Sequence, residues 1–450
     1  MTMAKQTLGP TLEHNLKENV LQGDTLSSII ASNQVDIIGK KLLKKNPDYL
    51  FRYKDIVPIG VMEMVDDTVT VTEAGHKTQQ MNAYFNVQAA EKRLQFSEFK
   101  CHTMTIHKSK QINAVSELKV DIWKQTHDDN NCFHETFDYE HNLKDTIQTK
   151  YLGCMLSNDG SNSQNIKMKV NKAFGTRKMI KTLIKGLGKY TVESGIVYFK
   201  SLLRGSMLFA TEVMMNLSVK DVKLIEKSEE ASLRDLVKTQ CSAPRHILYL
   251  ELGIVPARFV IKQRKVMYLK HILMQDESSL LKKVVNAQIK SPSKGDWISD
   301  IIKILEDLDI NKTFEEIKIM PKKTLSNIVK LSIEKLAFSY LIAIQKQKKK
   351  GKEINYSNIS LQPYFRPREN INLISQREIF ALRSQMNNFE AKFCPSTQIK
   401  KCEKSHKNMD NYHLFKCSRK NIKNITYEHI LNGTVLEQKN AIHYLNKKET

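Results

Sequence analysis

The chain has 450 residues, enough for two or three domains, and 41% of them are apolar, which excludes wholesale disorder. Lys and Arg number 71 against 48 Asp and Glu, a formal net charge of +23 that favours a polyanionic partner, nucleic acid foremost. No apolar run approaches the length of a membrane span, and seven scattered cysteines suit a reducing compartment better than a disulfide framework. Met1-Thr2-Met3-Ala4-Lys5 lacks the apolar core of a signal peptide, so a nuclear or cytoplasmic location without membrane attachment is expected. The charge is uneven. Residues 1–150 carry 18 basic and 20 acidic side chains, net −2, and residues 151–450 carry 53 and 28, net +25.

Residues 1–20 are polar, with Gly9-Pro10 as a breaker. Gln22-Gly23 opens the next piece, where glycine permits close backbone approach. Apolar residues at Leu26, Ile29, Ile30, Val35, Ile37 and Ile38 predict a helix packed under a sheet. Lys40, Lys41, Lys44 and Lys45 close that helix, where cations oppose its dipole favourably. Next comes Pro58-Ile59-Gly60-Val61-Met62-Glu63-Met64-Val65-Asp66-Asp67-Thr68-Val69-Thr70-Val71. Its apolar runs flank two adjacent carboxylates, and Val69 and Val71 alternate with Thr68 and Thr70. A β-hairpin with Asp66 and Asp67 at its tip is predicted. Two close carboxylates repel unless a cation lies between them, and Mg²⁺ suits hard oxygen ligands where phosphates are handled. An ordinary Asp-Asp turn is the plain alternative.

Residues 78–95 read as an amphipathic helix with Met81, Tyr84, Phe85, Ala89 and Leu94 on one face. Lys100 follows and reads by itself as an exposed lysine at a strand start. Residues 127–145 are polar and read as a loop; His127, Cys132 and His134 match no common zinc spacing. Lys150-Tyr151-Leu152-Gly153 leads into a short strand, Cys154-Met155-Leu156, and Asn158-Asp159-Gly160-Ser161 is a turn. The chain then becomes helical and basic, with ten Lys and Arg and two Glu between Gln164 and Met215. Ile166, Val170, Ala173 and Phe174 recur at helical spacing, with Lys167, Lys169, Lys172 and Arg177 elsewhere on the surface. The shortage of acid argues against a face of ion pairs and for contact with a nucleic-acid backbone.

Further helices are predicted between 297 and 345, followed by the basic cluster Lys346 to Lys352, a nuclear address, a phosphate contact or a solvated tail. Pro363 and Pro367 read as a linker. The last segment holds Cys402-x2-Ser405-x7-His413-x3-Cys417. Cys402, His413 and Cys417 supply three zinc-type ligands, but serine is a poor fourth. His406 and Cys394 lie at non-standard spacings, and a decayed knuckle is the alternative.

The order of Gln22-Gly23, Met64-Val65-Asp66-Asp67, Lys100 and Tyr151-Leu152-Gly153 resembles the palm of a reverse transcriptase of the non-LTR retrotransposon type. The resemblance continues through Leu233-Arg234, Leu248-Tyr249-Leu250-Glu251-Leu252-Gly253 and Tyr268-Leu269-Lys270-His271-Ile272-Leu273, from about Gly9 to Cys417. It implies an α+β fold: a partial palm over 1–157, a helical thumb-like domain over 158–290, a helical connection over 291–365, and a C-terminal segment over 366–450. It implies RNA-directed DNA synthesis by two-metal nucleotidyl transfer, with Asp66 and Asp67 holding Mg²⁺ or Mn²⁺. Gln22, Gly23 and Lys100 would then line the nucleotide and template site, and Tyr151, Leu152 and Gly153 the primer grip. RNA template and DNA primer are the partners. The terminal motif would be a Zn²⁺ knuckle.

The family takes a third aspartate from a strand before the Gln-Gly turn; here the acids before Gln22 are Glu13 and Glu18. The expectation is therefore a copy truncated before the first catalytic aspartate, impaired as an isolated chain. The missing N-terminal half is a further candidate partner. A non-catalytic nucleic-acid-binding remnant is the alternative, and a relic without selected function a third reading.

Overall fold

Period-two runs become strands and apolar spacings of three and four become helices, giving a mainly helical α+β structure with four two-stranded antiparallel sheets among the described residues. The computed structural model describes residues 36–42, 44–45, 47–64, 67–73, 75–91, 101–106, 118–127, 133–186, 191–239, 243–347, 354–366, 369, 371–384 and 427–446. The chain divides into two compact units, Met1–Ser161 with Asp276–Pro292, and Asn162–Gln275 with Ser293–Thr450.

In the first unit, residues 36–42 and 44–45 are helical, through Ile37, Ile38 and the lysine pairs; Leu26 to Val35 of the predicted helix lie outside the described residues. Strands β1 (Phe51–Tyr53) and β2 (Val57–Ile59) form one hairpin, and β3 (Val61–Met64) and β4 (Asp67–Thr70) form the next. Helix α1 (Gly75–Glu91) presents Met81, Phe85 and Ala89, each four residues apart, to Ile38 and Leu42. Tyr49, Val61 and Tyr84 pack against this core, so the predicted apolar face is the buried one. Asn82 on α1 accepts from Thr70 at 3.3 Å, which ties the end of β4 to the helix. Leu94 lies outside the described residues.

Strands β5 (Leu118–His127) and β6 (Phe133–Leu143) form a long antiparallel hairpin with one register shift between Val120 and Ile122. The loop expected over 127–145 is thus mostly strand. Its polar composition hid a period-two alternation, Phe133, Phe137 and Tyr139 against His134, Thr136 and Asp138. Cys132 lies outside the described residues. Strands β7 (Gln148–Tyr151) and β8 (Cys154–Ser157) make the last hairpin of this unit.

Helix α2 (Ser163–Gly186) opens the second unit. α3 (Val192–Tyr198) starts at a capping box on Thr191 and runs through one π-helical turn, Phe199–Leu203, into α4 (Arg204–Met207). α5 (Val219–Val237), α6 (Arg245–Leu252) and α7 (Ala257–Leu273) surround one core with α2. α8 (Leu280–Lys290) belongs to the first unit, where Gln288 donates to the Tyr53 hydroxyl at 3.0 Å. α9 (Trp297–Asp307), α10 (Phe314–Ile319) and α11 (Lys322–Gln347) follow in the second unit. α12 (Leu373–Arg383), α13 (Tyr427–Asn432) and α14 (Val435–Asn446) complete the described elements.

The linker expected around Pro363 is part of that core. Tyr364 and Phe365 are fully buried, and Phe380, Tyr427, Ile430 and Leu431 join them around Leu248. The reason is the Glu251 carboxylate at the end of α6, itself fully buried. It accepts from Arg383 Nε at 2.7 Å, from the Tyr364 hydroxyl at 2.6 Å and from the Tyr356 hydroxyl. Arg383 also donates to the Ile430 carbonyl at 3.1 Å and to that of Leu431, the last turn of α13. Burial works against the Arg383 charge and Glu251 more than offsets it, so its pKa is raised; burial and then Glu251 push both tyrosines well up. One fully satisfied charge cluster therefore fastens three segments distant in sequence.

A second buried carboxylate, Glu229 on α5, accepts from Arg204 Nε at 2.5 Å, Tyr249 at 3.3 Å and the Ala257 amide at 3.0 Å. Glu251 and Tyr249 thus give the Leu-Tyr-Leu-Glu-Leu-Gly stretch its structural meaning. Its Gly253 sits at φ +63, where an added Cβ would lie 2.2 Å from the Leu361 amide nitrogen. The backbone of 360–362 comes that close because Gln362 donates to the Glu251 carbonyl at 3.0 Å. Gly253→Ala is expected to lower stability by about 3 kcal/mol, from left-handed backbone strain together with the clash. A urea melt whose midpoint does not move would refute that placement.

Candidate active-site hairpins and basic helix

Met64 pairs with Asp67, so Asp67 is the first residue of β4 and not part of the hairpin's tip. Asp66 lies outside the described residues, as do Gln22, Gly23, Lys100, Cys402, His413 and Cys417. Asp67 is exposed and forms the last pair of the two-stranded ladder beside the connection between the strands. The ladder continues at its other end, where the Val71 amide donates to the Gly60 carbonyl at 2.7 Å.

The second expected motif is also a hairpin end. Tyr151 pairs with Cys154, and Leu152 and Gly153 are its turn, at φ +44 and +77. They lead into the strand expected at Cys154 to Leu156, and positive φ at both central residues makes the tight turn that matches strand twist. Leu152 has a Cβ and still takes the left-handed conformation, with its side chain 45% exposed. The segment that follows Lys100 runs beside this hairpin. The Thr103 amide donates to the Lys144 carbonyl at 3.0 Å and the Thr146 amide to the Thr103 carbonyl at 2.8 Å.

Tyr151 and Asp67, 84 positions apart, lie within electrostatic reach. Burial pushes the Tyr151 phenol up, and the Asp67 carboxylate raises it further. The phenol stays a neutral hydrogen-bond donor well into alkaline solution. Asp67→Asn is expected to lower the Tyr151 pKa while burial keeps it above the ordinary tyrosine value; a tyrosinate difference titration that shows no downward shift would separate the two residues.

In the second unit, Ile166 and Ala173 of α2 are buried and Val170 packs against the core, as their spacing implied. Phe174 is not buried with them; its ring is 54% exposed. Nor is the helix without acidic partners. Arg177 pairs with Asp235 on α5, and Lys181 pairs with the same carboxylate at 3.0 Å. The count from Gln164 to Met215 missed them because the acid comes from a helix later in the chain. Lys169 is buried, its ammonium 4.8 Å from the Phe209 ring centre. Lys167, Lys172 and Lys178 remain exposed.

Among the described residues, no group of three or more His, Cys, Asp and Glu side chains stands ready to hold a metal, and no helix is long and apolar enough to cross a membrane. Among the described side chains of this hairpin, Asp67 offers exposed carboxylate oxygen atoms. That donor fits Mg²⁺, which takes one or two carboxylates and keeps several waters. No protein-family model matches the chain, and comparison with curated proteins finds no match.

Proposed function

We propose that the chain derives from the reverse transcriptase of a non-LTR retrotransposon and acts on an RNA template and a DNA primer. The observation that carries this reading is that the Asp67 carboxylate acts electrostatically on the Tyr151 phenol, although the two motifs are far apart in sequence. A polymerase needs such a neighbourhood, because the primer's 3′ end must be held against the carboxylates.

In this reading Asp66 and Asp67 hold Mg²⁺, or Mn²⁺, which supplies charge stabilisation at the attacking 3′-oxygen and the leaving phosphate. Asp67 contributes its exposed carboxylate. Tyr151 contributes a neutral phenol and an aromatic face at the primer end. Leu152, exposed at its turn, offers apolar surface to the same strand. Cys402, His413 and Cys417 would form what remains of a zinc knuckle. Extension of a DNA primer on an RNA template by the purified chain, with Mg²⁺ or Mn²⁺, tests the reading.

The net charge of +25 over 151–450 and the exposed lysines of α2 favour a second reading, a protein that holds nucleic acid without catalysis. It expects no primer extension and an affinity that falls steeply with salt. Binding indifferent to salt would exclude it.

A further inference from the structure

Helix α2 carries an exposed stripe of one composition. At 3.6 residues per turn, Lys167, Asn171, Phe174, Lys178 and Lys181 fall within an arc of about 80° and span about 21 Å. All five are exposed, whereas Ile166, Lys169, Ala173 and Ile180 lie on the buried side of the same helix. The sequence of α2 contains no Asp or Glu. Phe174 is therefore an aromatic ring set among cations, with the Lys178 ammonium 4.8 Å from its centre.

Among the described side chains of α2 the ring does not belong to a broader apolar patch. The other exposed apolar ones among them, Met179 and Leu183, lie about 140° or more around the axis from Phe174. A protein partner or a lipid surface calls for contiguous apolar area, and the apolar side of α2 is already spent on the core. An isolated ring between ammonium groups suits a ligand with alternating negative charges and flat π-faces. Single-stranded nucleic acid has that chemistry, since its phosphates follow cations and its bases stack on aromatic side chains whatever their sequence.

We propose that this stripe is a stacking platform for an unpaired strand, with Phe174 receiving a base and Lys167 and Lys178 receiving the flanking phosphates. Lys181 adds little, because Asp235 holds its ammonium at 3.0 Å. The proposal rests on the nucleic-acid half of the function above and is independent of polymerisation.

The test uses the full chain without nucleotides or divalent metal, so a failure of DNA synthesis and a failure of stacking read out separately. Fluorescence anisotropy follows binding of a labelled oligoadenylate, in ribose and deoxyribose forms, and of an abasic strand of equal length. Phe174→Ala is expected to weaken the base-bearing strands roughly tenfold and to leave the abasic strand unchanged. Phe174→Trp, which keeps a stacking face, should bind the base-bearing strands at least as well as the native chain. Lys167→Gln should weaken all three strands and reduce the salt slope by about 0.7. Because Phe174 is exposed, each variant should melt with the native chain. Equal loss on base-bearing and abasic strands, no loss on any, or no binding by the native chain would each overturn the proposal.

Discussion

Asp67→Asn is expected to lower primer extension on an RNA template by on the order of a hundredfold or more, while nucleic-acid binding persists. The substitution keeps the size and hydrogen-bonding capacity of the side chain and removes its charge. A divalent cation facing phosphate oxygens depends on that charge to be held and centred, and a displacement of about 1 Å of a reacting group already costs about a hundredfold in rate. Asp67 is exposed at the end of a four-residue strand, so the fold should tolerate the change; the variant's thermal melt should overlie the native one. Steady-state incorporation of deoxynucleotides, normalised to binding, is the measurement. Extension that survives the substitution would remove Asp67 from the chemistry. Absence of extension in the native chain with either Mg²⁺ or Mn²⁺ would move the weight to the binding reading.

Arg383→Ala is the second large effect, and it acts on stability. The Arg383 and Glu251 side chains are 4% and 0% exposed, so removing the guanidinium leaves a carboxylate buried without its countercharge. Breaking one side of such a pair costs about 3–5 kcal/mol. The loss extends further here, because the same guanidinium closes the last carbonyls of α13 at Ile430 and Leu431. The C-terminal helices should loosen before the rest of the unit, visible as faster amide exchange across residues 427–446. Glu251→Gln should cost less, since the amide still accepts from Arg383 or a tyrosine. Combining it with Arg383→Ala should cost less than the sum of the two, because both act on one cluster. Strictly additive losses in a urea melt would show that the pair does not fasten these segments together.

Local patterns were legible where periodicity and burial agree. The α1 face, the β3–β4 ladder and the buried side of α2 all follow from apolar spacing, because each element hides a single face in a core. Asp67, Tyr151, Leu152 and Gly153 were readable as motif positions. Their conformations were not, since the pairs Met64 with Asp67 and Tyr151 with Cys154 decide which residues turn and which extend. The β5–β6 hairpin escaped notice because most of its residues are polar. Phe174 looked like core because helical spacing alone does not say how wide the buried arc is.

Composition, charge distribution and short-range periodicity are properties of neighbouring residues, and they determined the α+β class, the basic C-terminal two thirds and the candidate carboxylates. Partners across the chain belong to the tertiary structure. It paired Asp235 with Arg177 and Lys181, drew Pro363 to Phe365 into a core around Glu251, and brought Tyr151 into the field of Asp67. The physical reason is that burial and Coulomb energy depend on distance in space, and helix-scale patterns carry no record of which distant segment will arrive there.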